Sequence, residues 1–418
     1  MLVENCFPAD TRVRNEAATL VEHGFKVSLI ALRGPNESAR EDVGGATVYR
    51  IPRLTLFEKL PGPKPTGLRA ILNKLRVLVG YVTEYAYFTS ACLLVSLYIG
   101  MREGLDVVHA HNPPDTLFVV GAVHKLLGRK FVFDHHDLSP ELYQSRYRTA
   151  TSSLVTRVLG LFERFSVGLA DVLIATNESY RAIDINRNKI APAKVFVVRN
   201  GPNLKRVRLV ARDSALRSKA RVILGYVGAM NPQDGVDYLL RALAHLVNGL
   251  GRTDFYCVII GSGDSLYELR QLARELRIED YVEFTGFIPD EQMVRYLSTA
   301  DICMDPNPSS PLNDVSTWIK VMEYMALGKP VISFDLQETR KSAGAAALYV
   351  HPNDEVQFAQ AIAELMDDPA KRAQMGEYGK ARVHSELSWH VTSQNLVRAY
   401  QHLFDRAAEP RPGHASAV

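Results

Sequence analysis

The sequence alternates short runs of apolar, often β-branched residues with amphipathic segments of helical period almost from end to end. Short apolar runs bounded by turn residues predict buried strands, and apolar positions three and four apart predict helices. Regular alternation of the two is typical of an α/β fold with a parallel, doubly wound sheet. The expected strands are residues 1–5, 26–32, 46–52, 107–111, 130–136, 172–177 and 195–200, then 222–228, 255–261, 282–287, 302–306, 330–334 and 347–350.

The segment TRVRNEAATLVEHG, between the first two strands, carries its apolar residues on one helical face. Asp10 or Thr11 can cap the start of this helix, and Gly24 can end it. The opening strand is short for this pattern, which leaves open a start upstream of Met1. Further helices are expected near residues 235–249, 265–277, 290–299, 316–327, 354–366, 370–385 and 391–406.

A charged stretch without strand period, residues 205–220, separates the two alternating sets. A chain of 418 residues is also too long for one ordinary core, so two doubly wound domains are expected. The predicted parts are a first domain over 1–205, a second over 206–390, a last helix over 391–406 and a disordered tail over 407–418. Sheets of this type bind ligands at the carboxyl ends of their strands.

Composition narrows the class of protein. Apolar residues make up 47% of the chain and charged residues 23%, which is typical of a globular protein. The net charge of +3 is too small to indicate a nucleic-acid partner. Four cysteines without CxxC spacing, three of them in apolar runs, indicate buried free thiols in a reducing compartment. Because the N-terminus also lacks a signal-peptide pattern, a cytoplasmic location is expected.

Two segments bear on membranes. Residues 77–100 are long and apolar enough to span a bilayer, but Glu84 and several hydroxyl side chains favour a buried helix at a domain edge. Residues 57–76 contain three prolines followed by basic residues on a short amphipathic stretch. This second segment is either a solvated loop and helix or a surface that contacts anionic lipid, with the protein at the inner face of the plasma membrane.

In the second half, two glycine-containing loops follow predicted strands and precede predicted helices, at residues 225–237 and 261–264. Backbone N–H groups at a helix N-terminus suit a phosphate, although either loop can equally be an ordinary turn. Further along, Lys320 and Glu323 are three residues apart and share a helix face. A carboxylate there can accept both hydroxyls of a ribose, whereas the alternative is a surface ion pair.

In the first half, two polar clusters follow predicted strands, at residues 109–112 and 134–137. Strand alternation places His109 and His111 on one face. The spacing matches no compact zinc pattern, so a polar site without a metal is expected at this sheet edge.

The segment VMEYMALGKPVISFD resembles the donor-site motif of the retaining GT-B glycosyltransferases of family 4. Eight other segments are similar to the other sequence blocks of that family, in the same order, between about Phe7 and Phe404. The eight segments are FPADTRVRNEAATLVEHGFKV, VVHAHNPPDTL, VFDHHDLSPELY, VLIATNES, VVRNGPNL, VGAMNPQDGVDYLLRAL, VIIGSGD and VEFTGFIPDEQMVRYLSTADICMDP. Within the family, the subgroup that the chain resembles most builds bacterial surface polysaccharides and lipid-linked glycans.

The resemblance implies two Rossmann-like domains that face a cleft. A nucleoside-diphosphate sugar would bind mainly to the second domain, and a glycan or polyprenyl-linked acceptor mainly to the first. The last helix would cross back to the first domain. Such enzymes usually need no metal or cofactor, so backbone dipoles and basic side chains must offset the charge of the diphosphate.

Residue by residue, Glu323 matches the glutamate that holds the donor ribose, and His111 matches the histidine at the catalytic centre. Gly228 and Gly235 match the phosphate-side loop, and Gly261 and Gly263 match the loop beside the base. The remaining polar positions implied near the site are Arg199 and Asn200 on the donor side, and Arg12, Arg14, His136, Asn177 and Glu178 on the acceptor side.

The sequence departs from the family at three charged positions. Ala229 stands where an arginine is typical, Asp234 where a lysine is typical, and Val315 where a glutamate is typical. In one interpretation Lys320 supplies the missing positive charge. Arg199, Arg12 and Arg14 are further candidates for this role. Asp314, Ser316 and Thr317 would then recognise the sugar.

Two alternatives remain open: a degenerate paralogue that binds without catalysis, and a nucleotide-sugar 2-epimerase on the same fold. The retention of Glu323, Lys320 and His111 in register favours a transferase.

Overall fold

The structure is a computed structural model, which describes residues 1–54, 67–147 and 154–408. These residues form two compact units. One contains the described residues of Met1–Pro140, Ser152–Arg199 and Ser393–Val418, and the other contains those of Glu141–Thr151 and Asn200–Thr392. The first unit is therefore built from both ends of the chain, and each unit has its own sheet.

The strands in the described residues mostly follow the predicted apolar runs closely, and most of their residues are buried. They are β1 Leu2–Cys6, β2 Ser28–Leu32, β3 Arg40–Val43, β4 Ala46–Ile51, β5 Val107–His111, β6 Lys130–His135, β7 Val172–Ala175, β8 Val195–Val197, β9 Val222–Val227, β10 Phe255–Ile260, β11 Val282–Gly286, β12 Ile302–Asp305, β13 Val331–Phe334 and β14 Ala347–Val350.

Helices occupy most of the segments between these strands. They are α1 Thr11–Glu22, α2 Leu68–Arg102, α3 Phe118–Leu126, α4 Ser139–Tyr147, α5 Leu154–Leu169, α6 Glu178–Asn186, α7 Ser214–Arg217, α8 Val236–Asn248, α9 Leu266–Glu275, α10 Asp290–Thr299, α11 Ile319–Ala326, α12 Gln337–Ala343, α13 Glu355–Asp367, α14 Pro369–Arg382 and α15 Trp389–Ala408. At the start of α1, Asp10 accepts a hydrogen bond from the Val13 N–H, and Gly24 follows its end at φ 84°, as the sequence predicts.

The first unit has an eight-stranded sheet in the order β3-β4-β2-β1-β5-β6-β7-β8. The neighbouring strands pair in parallel except β3, which forms an antiparallel hairpin with β4. The strand order reverses between the neighbouring strands β1 and β5: later strands are added toward one edge after β1 and toward the other edge after β5. Ligands bind at such a switch point, beyond the carboxyl ends of the strands.

The second unit has a six-stranded parallel sheet in the order β11-β10-β9-β12-β13-β14, with its switch point between β9 and β12. Successive residues of each strand pack into different cores. Leu224 and Ile302, for example, face a cluster with α8 and α13, whereas Ile223 and Cys303 face a cluster with α10 and α11. Both faces of the sheet are therefore covered, and the predicted α/β doubly wound class is confirmed.

Helix α2 departs from expectation in its burial. A helix forms over the apolar segment as predicted, and Val79–Arg102 is long and apolar enough to cross a membrane by length and composition. However, only 28% of the most apolar stretch of this helix is buried, whereas the sequence analysis favours a buried helix. Phe88, Cys92 and Ile99 pack inward, while Leu94 and Met101 face solvent. Of the predicted lipid-contacting segment 57–76, residues 57–66 lie outside the described residues, as do residues 409–418 of the predicted tail.

Candidate functional site

A buried polar cluster lies at the switch point of the first unit. Arg12 and Glu16 come from the start of α1, which follows β1, and both are buried. His109 and His111 lie on β5, on either side of Ala110, so both imidazoles face the same way. The parallel register then sets Asp134 of β6 beside His111.

Arg12 holds the cluster together. Its Nε lies 2.7 Å from Oδ2 of Asp134 and its Nη2 lies 2.8 Å from Oδ1, a two-pronged ion pair. The Nη1 group donates to the Val198 carbonyl oxygen at 3.0 Å, and Nη2 lies 3.2 Å from Glu16. Every edge of the guanidinium is therefore used, which leaves little of it to meet a ligand.

The same contacts set the protonation of the cluster. Burial alone would raise the pKa of Asp134, but the charges of Arg12 and His136 hold it well below its usual range. Burial, then Asp134, raises the pKa of Glu16 well above its usual range. His136 keeps a raised pKa because the charge of Asp134 overcomes the effect of burial. The low pKa of Asp134 thus comes from its contacts with Arg12 and His136.

The two histidines of β5 lie with their rings 4.3 Å apart between centroids. Their Nδ1 atoms are held, that of His109 by the Tyr400 hydroxyl at 3.0 Å and that of His111 by Asp134 at 2.9 Å. Their Nε2 atoms lie 3.8 and 3.9 Å from Oε2 of Glu16, too far for hydrogen bonds. Burial lowers the pKa of both histidines, so both are neutral near pH 7.

Glu16, His109, His111 and Asp134 offer ligand atoms within 4.8 Å of one another, so a metal has to be considered. A tetrahedral zinc site needs nitrogen and oxygen ligands about 3.4 Å apart. The distances from the histidines to Glu16 are longer, and both oxygens of Asp134 already contact Arg12. A divalent ion would also add charge to a cluster whose ionised carboxylate already faces Arg12 and His136. The residues therefore fit a charge-compensated cluster better than a metal site.

A second buried cluster lies at the switch point of the second unit. Asp305 ends β12, is fully buried and accepts a hydrogen bond from the Ser333 hydroxyl of β13 at 3.0 Å. The Lys320 ammonium of α11 lies 3.5 Å from Oδ1 of Asp305. It also lies 4.8 Å from the ring centroid of Tyr226 and 5.2 Å from that of Trp318. A carboxylate and two aromatic faces therefore hold one buried cation.

Glu323 follows Lys320 by about one turn of α11 and is also buried. Its Oε1 accepts a hydrogen bond from Nη2 of Arg206 at 3.1 Å, and the Nε of Arg206 lies 3.2 Å from Asp290. Burial raises the pKa of Glu323 to about 7, against the opposing charge of Arg206. One short helix therefore presents a buried cation and a buried, readily protonated carboxyl.

Comparison with known proteins decides the family. Residues 9–201 match the profile described as the glycosyl transferase 4-like domain, and residues 221–368 match the profile described as glycosyl transferases group 1. The two ranges span most of the chain. The chain belongs to the GT-B glycosyltransferases of family 4.

Individual relatives of this glycosyltransferase chain are distant. A D-inositol 3-phosphate glycosyltransferase of Thermobispora bispora is 29% identical over 62% of each chain. A GDP-mannose-dependent monoacylated alpha-(1-6)-phosphatidylinositol monomannoside mannosyltransferase of Corynebacterium glutamicum is 31% identical over 43% of this chain and 45% of its own. Among solved structures, sucrose-phosphate synthase of Thermosynechococcus elongatus gives a TM-score of 0.71 at 21% identity, over 96% of this chain and 95% of the other. This last likeness shows the fold alone.

The glycines that match the family's donor loops have close backbone neighbours. A Cβ on Gly261 would lie 2.0 Å from the Gly228 carbonyl oxygen, and one on Gly235 would lie 2.0 Å from the Pro306 carbonyl oxygen. A Cβ on Gly263 would lie 2.6 Å from the Met230 backbone nitrogen. Glycine is thus required here so that the loops after β9, β10 and β12 can pack together, whether or not a ligand is bound.

Gly261→Ala is expected to lower the free energy of unfolding by more than about 2 kcal/mol, because the φ of +128° and the Gly228 carbonyl oxygen both oppose a Cβ. Gly286→Ala is the matched control. Its φ is also positive, but nothing lies within 4 Å of the added carbon, so a loss of only about 1 kcal/mol is expected. Urea denaturation compares the two, and equal losses would contradict the close approach of the loops.

Glu323 also predicts a pH effect. Its pKa is higher in the folded chain, about 7, than the ordinary 4.5, so the folded chain binds more protons between these values. This carboxyl therefore makes the wild-type protein less stable as pH rises through that window. Glu323→Gln removes the titration and keeps an acceptor for Arg206. The stability of the variant relative to wild type should increase by about 1–3 kcal/mol between pH 4.5 and pH 8. A constant difference in urea denaturation would contradict the raised pKa.

The remaining candidate residues are distributed over the two units, some in each. In the first unit, Asn177 caps α6 by accepting the Tyr180 N–H, and Glu178 is exposed beside Arg181. Arg14 donates to the Pro8 carbonyl oxygen, and His136 lies at the edge of the buried cluster. Arg199 and Asn200 are half-buried at the junction of the two units in the sequence.

In the second unit, Asp314 accepts from the Ser309 hydroxyl, Ser316 donates to the Leu312 carbonyl oxygen, and Thr317 is half-buried next to Trp318. Asp234, where the family has a lysine, is buried and accepts the Asn231 N–H at 3.1 Å. Its carboxyl therefore occupies the turn before α8, and burial raises its pKa.

Sequence reasoning missed several residues of the two clusters, among them Glu16, Tyr400, Asp305 and Arg206. Glu16 is four residues after Arg12, a spacing that could have identified it. Arg206 lies in the charged stretch at the predicted domain boundary and gives no local signal. The partnerships of Tyr400 with His109 and of Asp305 with Lys320 depend on sheet order and on the return of α15.

Proposed function

We propose that this protein transfers a sugar, with retention, from a nucleoside-diphosphate sugar to a glycan or lipid-linked acceptor. The observation that carries the proposal is the pair Lys320 and Glu323 on α11, both buried at the carboxyl edge of the second sheet. A buried charged side chain needs either an oppositely charged partner or a functional role to offset the cost of its burial. The names of the two relatives contain D-inositol 3-phosphate and phosphatidylinositol monomannoside, and these words support a phosphorylated or lipid-linked acceptor.

Each residue has a distinct role in this proposal. Glu323 accepts the ribose hydroxyls, for which Arg206 must give up its hydrogen bond. Lys320 offsets the charge that develops on the leaving diphosphate, in the place of the basic pair absent at Ala229 and Asp234. The transition state resembles an oxocarbenium ion, as in other glycosyl transfers. In the first unit, His111 is the candidate for the reacting sugar, since Asp134 fixes its Nδ1 and its neutral form.

We further propose that transfer proceeds without a metal or cofactor, because Lys320 can offset the charge of the diphosphate and the buried cluster of the first unit fits charge compensation better than a divalent ion. A chelator should then leave turnover unchanged. A loss of turnover that is reversed when zinc or magnesium is added back would overturn this part of the proposal.

The test is a panel of UDP-, GDP- and ADP-sugars, read as released nucleoside diphosphate with and without lipid-linked and soluble acceptors. The proposal expects release from at least one donor and an acceptor-dependent increase. Conversion of a donor to its epimer without acceptor would instead show a 2-epimerase. Absence of turnover with donor-dependent stabilisation, about 2.7 kcal/mol at 100 times Kd, would show a binding paralogue.

A further inference from the structure

Helix α5 has the polarity of its faces reversed. It buries four residues, Thr156, Glu163, Ser166 and Val167, of which the first three are polar. The residues that it exposes include Leu154, Val158, Leu161 and Phe165, which are spaced four, three and four residues apart and so share one face. An ordinary surface helix buries its apolar stripe instead. The outer face of α5 is therefore suited to an apolar environment.

The buried polar side of α5 is fully engaged. Glu163 accepts two hydrogen bonds from Arg187, at 2.7 and 2.8 Å, and one from Asn188. The Ser166 hydroxyl donates to the Asp115 carbonyl oxygen at 2.8 Å. These contacts fix the rotation of α5 about its axis. The apolar face is consequently held outward and cannot turn into the protein.

The neighbouring helices α2 and α3 bury polar contacts beside their buried apolar side chains and also expose large apolar side chains. The Ser96 hydroxyl of α2 lies 2.8 Å from Nε2 of buried His124 of α3, and the Thr89 hydroxyl of α2 lies 2.7 Å from that of Thr116, just before α3. Large apolar side chains face out. Leu126 is 88% exposed and Leu94 is 68% exposed. Helix α2 also exposes Val82, Tyr98 and Met101, and α3 also exposes Val119, with exposed Leu127 directly after its end.

The three helices adjoin on one side of the first sheet. They connect β4 to β5, β5 to β6 and β6 to β7, and all three steps run in the same direction across the strand order. Right-handed crossovers then place all three helices on the same face of the sheet. Phe118 of α3 packs against Phe165 of α5, with ring centroids 5.3 Å apart. The exposed apolar side chains therefore belong to one neighbouring set, the outer helical face.

The charge of these helices is one-sided. The acidic residues in α2, α3 and α5 are Glu84, which is half-buried, and Glu163, which is buried. The basic residues of the same helices whose side chains the structure describes are Arg76, Arg102, Lys125, Arg157 and Arg164. On α5, the exposed Arg157 and Arg164 alternate with the exposed leucine, valine and phenylalanine side chains. Apolar side chains mixed with arginine suit the interface of an anionic bilayer.

We propose that the outer helical face of α2, α3 and α5 docks the protein on an anionic lipid bilayer, with the helices lying in the plane of the interface. This deepens the proposed function by giving a lipid-linked acceptor a surface to come from. A second copy of the chain is a poorer occupant, because a two-fold contact would set this basic face against itself. Crossing of the bilayer by α2 is disfavoured, because Phe88, Cys92 and Ile99 are packed in the core of the unit.

The test is sedimentation of the full chain with vesicles of phosphatidylcholine alone or of equal parts phosphatidylcholine and phosphatidylglycerol, without donor or acceptor. Binding is expected to the anionic vesicles and to weaken as salt is added. Leu161→Gln with Phe165→Gln should reduce binding at least tenfold, and Arg157→Gln with Arg164→Gln should reduce it roughly thirtyfold. All four side chains are exposed, although Phe165 also contacts Phe118, so thermal unfolding checks that both variants remain folded.

Matched controls come from exposed residues of the second unit: Leu250→Gln with Val356→Gln for apolar loss, and Arg270→Gln with Arg274→Gln for charge loss. These should bind as wild type. Equal binding to both vesicle types, or an equal effect of test and control pairs, would overturn the proposal. So would a self-associating protein whose dimer, and not its lipid binding, is lost in the test variants. Because no sugar transfer is measured, failure here leaves the transferase proposal untouched, and the reverse holds too.

Discussion

Arg12→Ala is expected to lower the free energy of unfolding by about 3–5 kcal/mol, the loss typical of removing one partner of a buried ion pair. The reason is the charge left behind. Asp134 is fully buried, and its two oxygens receive Nε and Nη2 of Arg12 at 2.7 and 2.8 Å. Without the guanidinium, an ionised carboxylate stays in the core with His136 and His111 as its remaining partners. Urea denaturation near pH 7 measures the loss.

Arg14→Ala is the matched control, since Arg14 lies two residues further along the same helix and donates only to the Pro8 carbonyl oxygen in an exposed contact. A loss of about 0.5 kcal/mol or less is expected from it. Arg12→Met combined with Asp134→Asn should be more stable than Arg12→Ala alone, because removing both charges leaves no unpaired ion. If the double variant is the less stable of the two, the Arg12–Asp134 pair is not the source of the loss.

Lys320→Met is expected to lower kcat/KM for donor turnover by about a hundredfold to a thousandfold, the loss typical of removing one electrostatic stabiliser of a transition state. Methionine keeps most of the volume between the Tyr226 and Trp318 rings. The protein should remain folded, because burial already raises the pKa of Asp305 and its carboxyl can take up a proton when the ammonium is gone. Kinetics with the donor found in the panel measure the effect.

Lys329→Met provides the comparison. Lys329 is also buried, but its ammonium donates to the Ser298 and Ala300 carbonyl oxygens, both at 2.7 Å, and so has a structural task. This variant should lose stability and keep wild-type turnover per folded molecule. Similar kinetic losses for the two lysine variants would mean that Lys320 acts through the fold and not on the diphosphate.

Most of the fold could be predicted because strand and helix patterns are local. The expected strand 107–111 coincides with β5, and the expected helix 290–299 coincides with α10. Predicted strands commonly run one or two residues too far, as at 172–177, where pairing stops at Ala175 and Asn177 caps a helix. Strand β3, with sequence REDV, was missed because it is a half-exposed edge hairpin with no apolar run. Its pairing comes from the turn at Gly44 and Gly45, both at positive φ.

Less of the site could be predicted, because its partnerships cross the sheets. Helical spacing gives the shared face of Lys320 and Glu323, and the structure has both on α11. The contact of Lys320 with the Tyr226 ring needs β12 to lie beside β9, and that follows from strand order, not from any motif. The polarity of α5 was missed for a different reason. Periodicity finds an apolar stripe but does not tell which side of a helix meets the sheet.

The hydrogen bond between His109 and Tyr400 joins residues 291 positions apart in the chain. As the chain leaves the ribosome, β5 and its histidines emerge long before α15 does, and the intervening residues are mainly those of the second unit. At typical synthesis rates of roughly 5–20 residues per second this delay is roughly 15–60 s, during which the second unit can fold while the first waits with Phe25 and His109 uncovered. Completion of the first unit is therefore one of the last events of biosynthesis, and a nascent chain that lacks its final helix cannot assemble it.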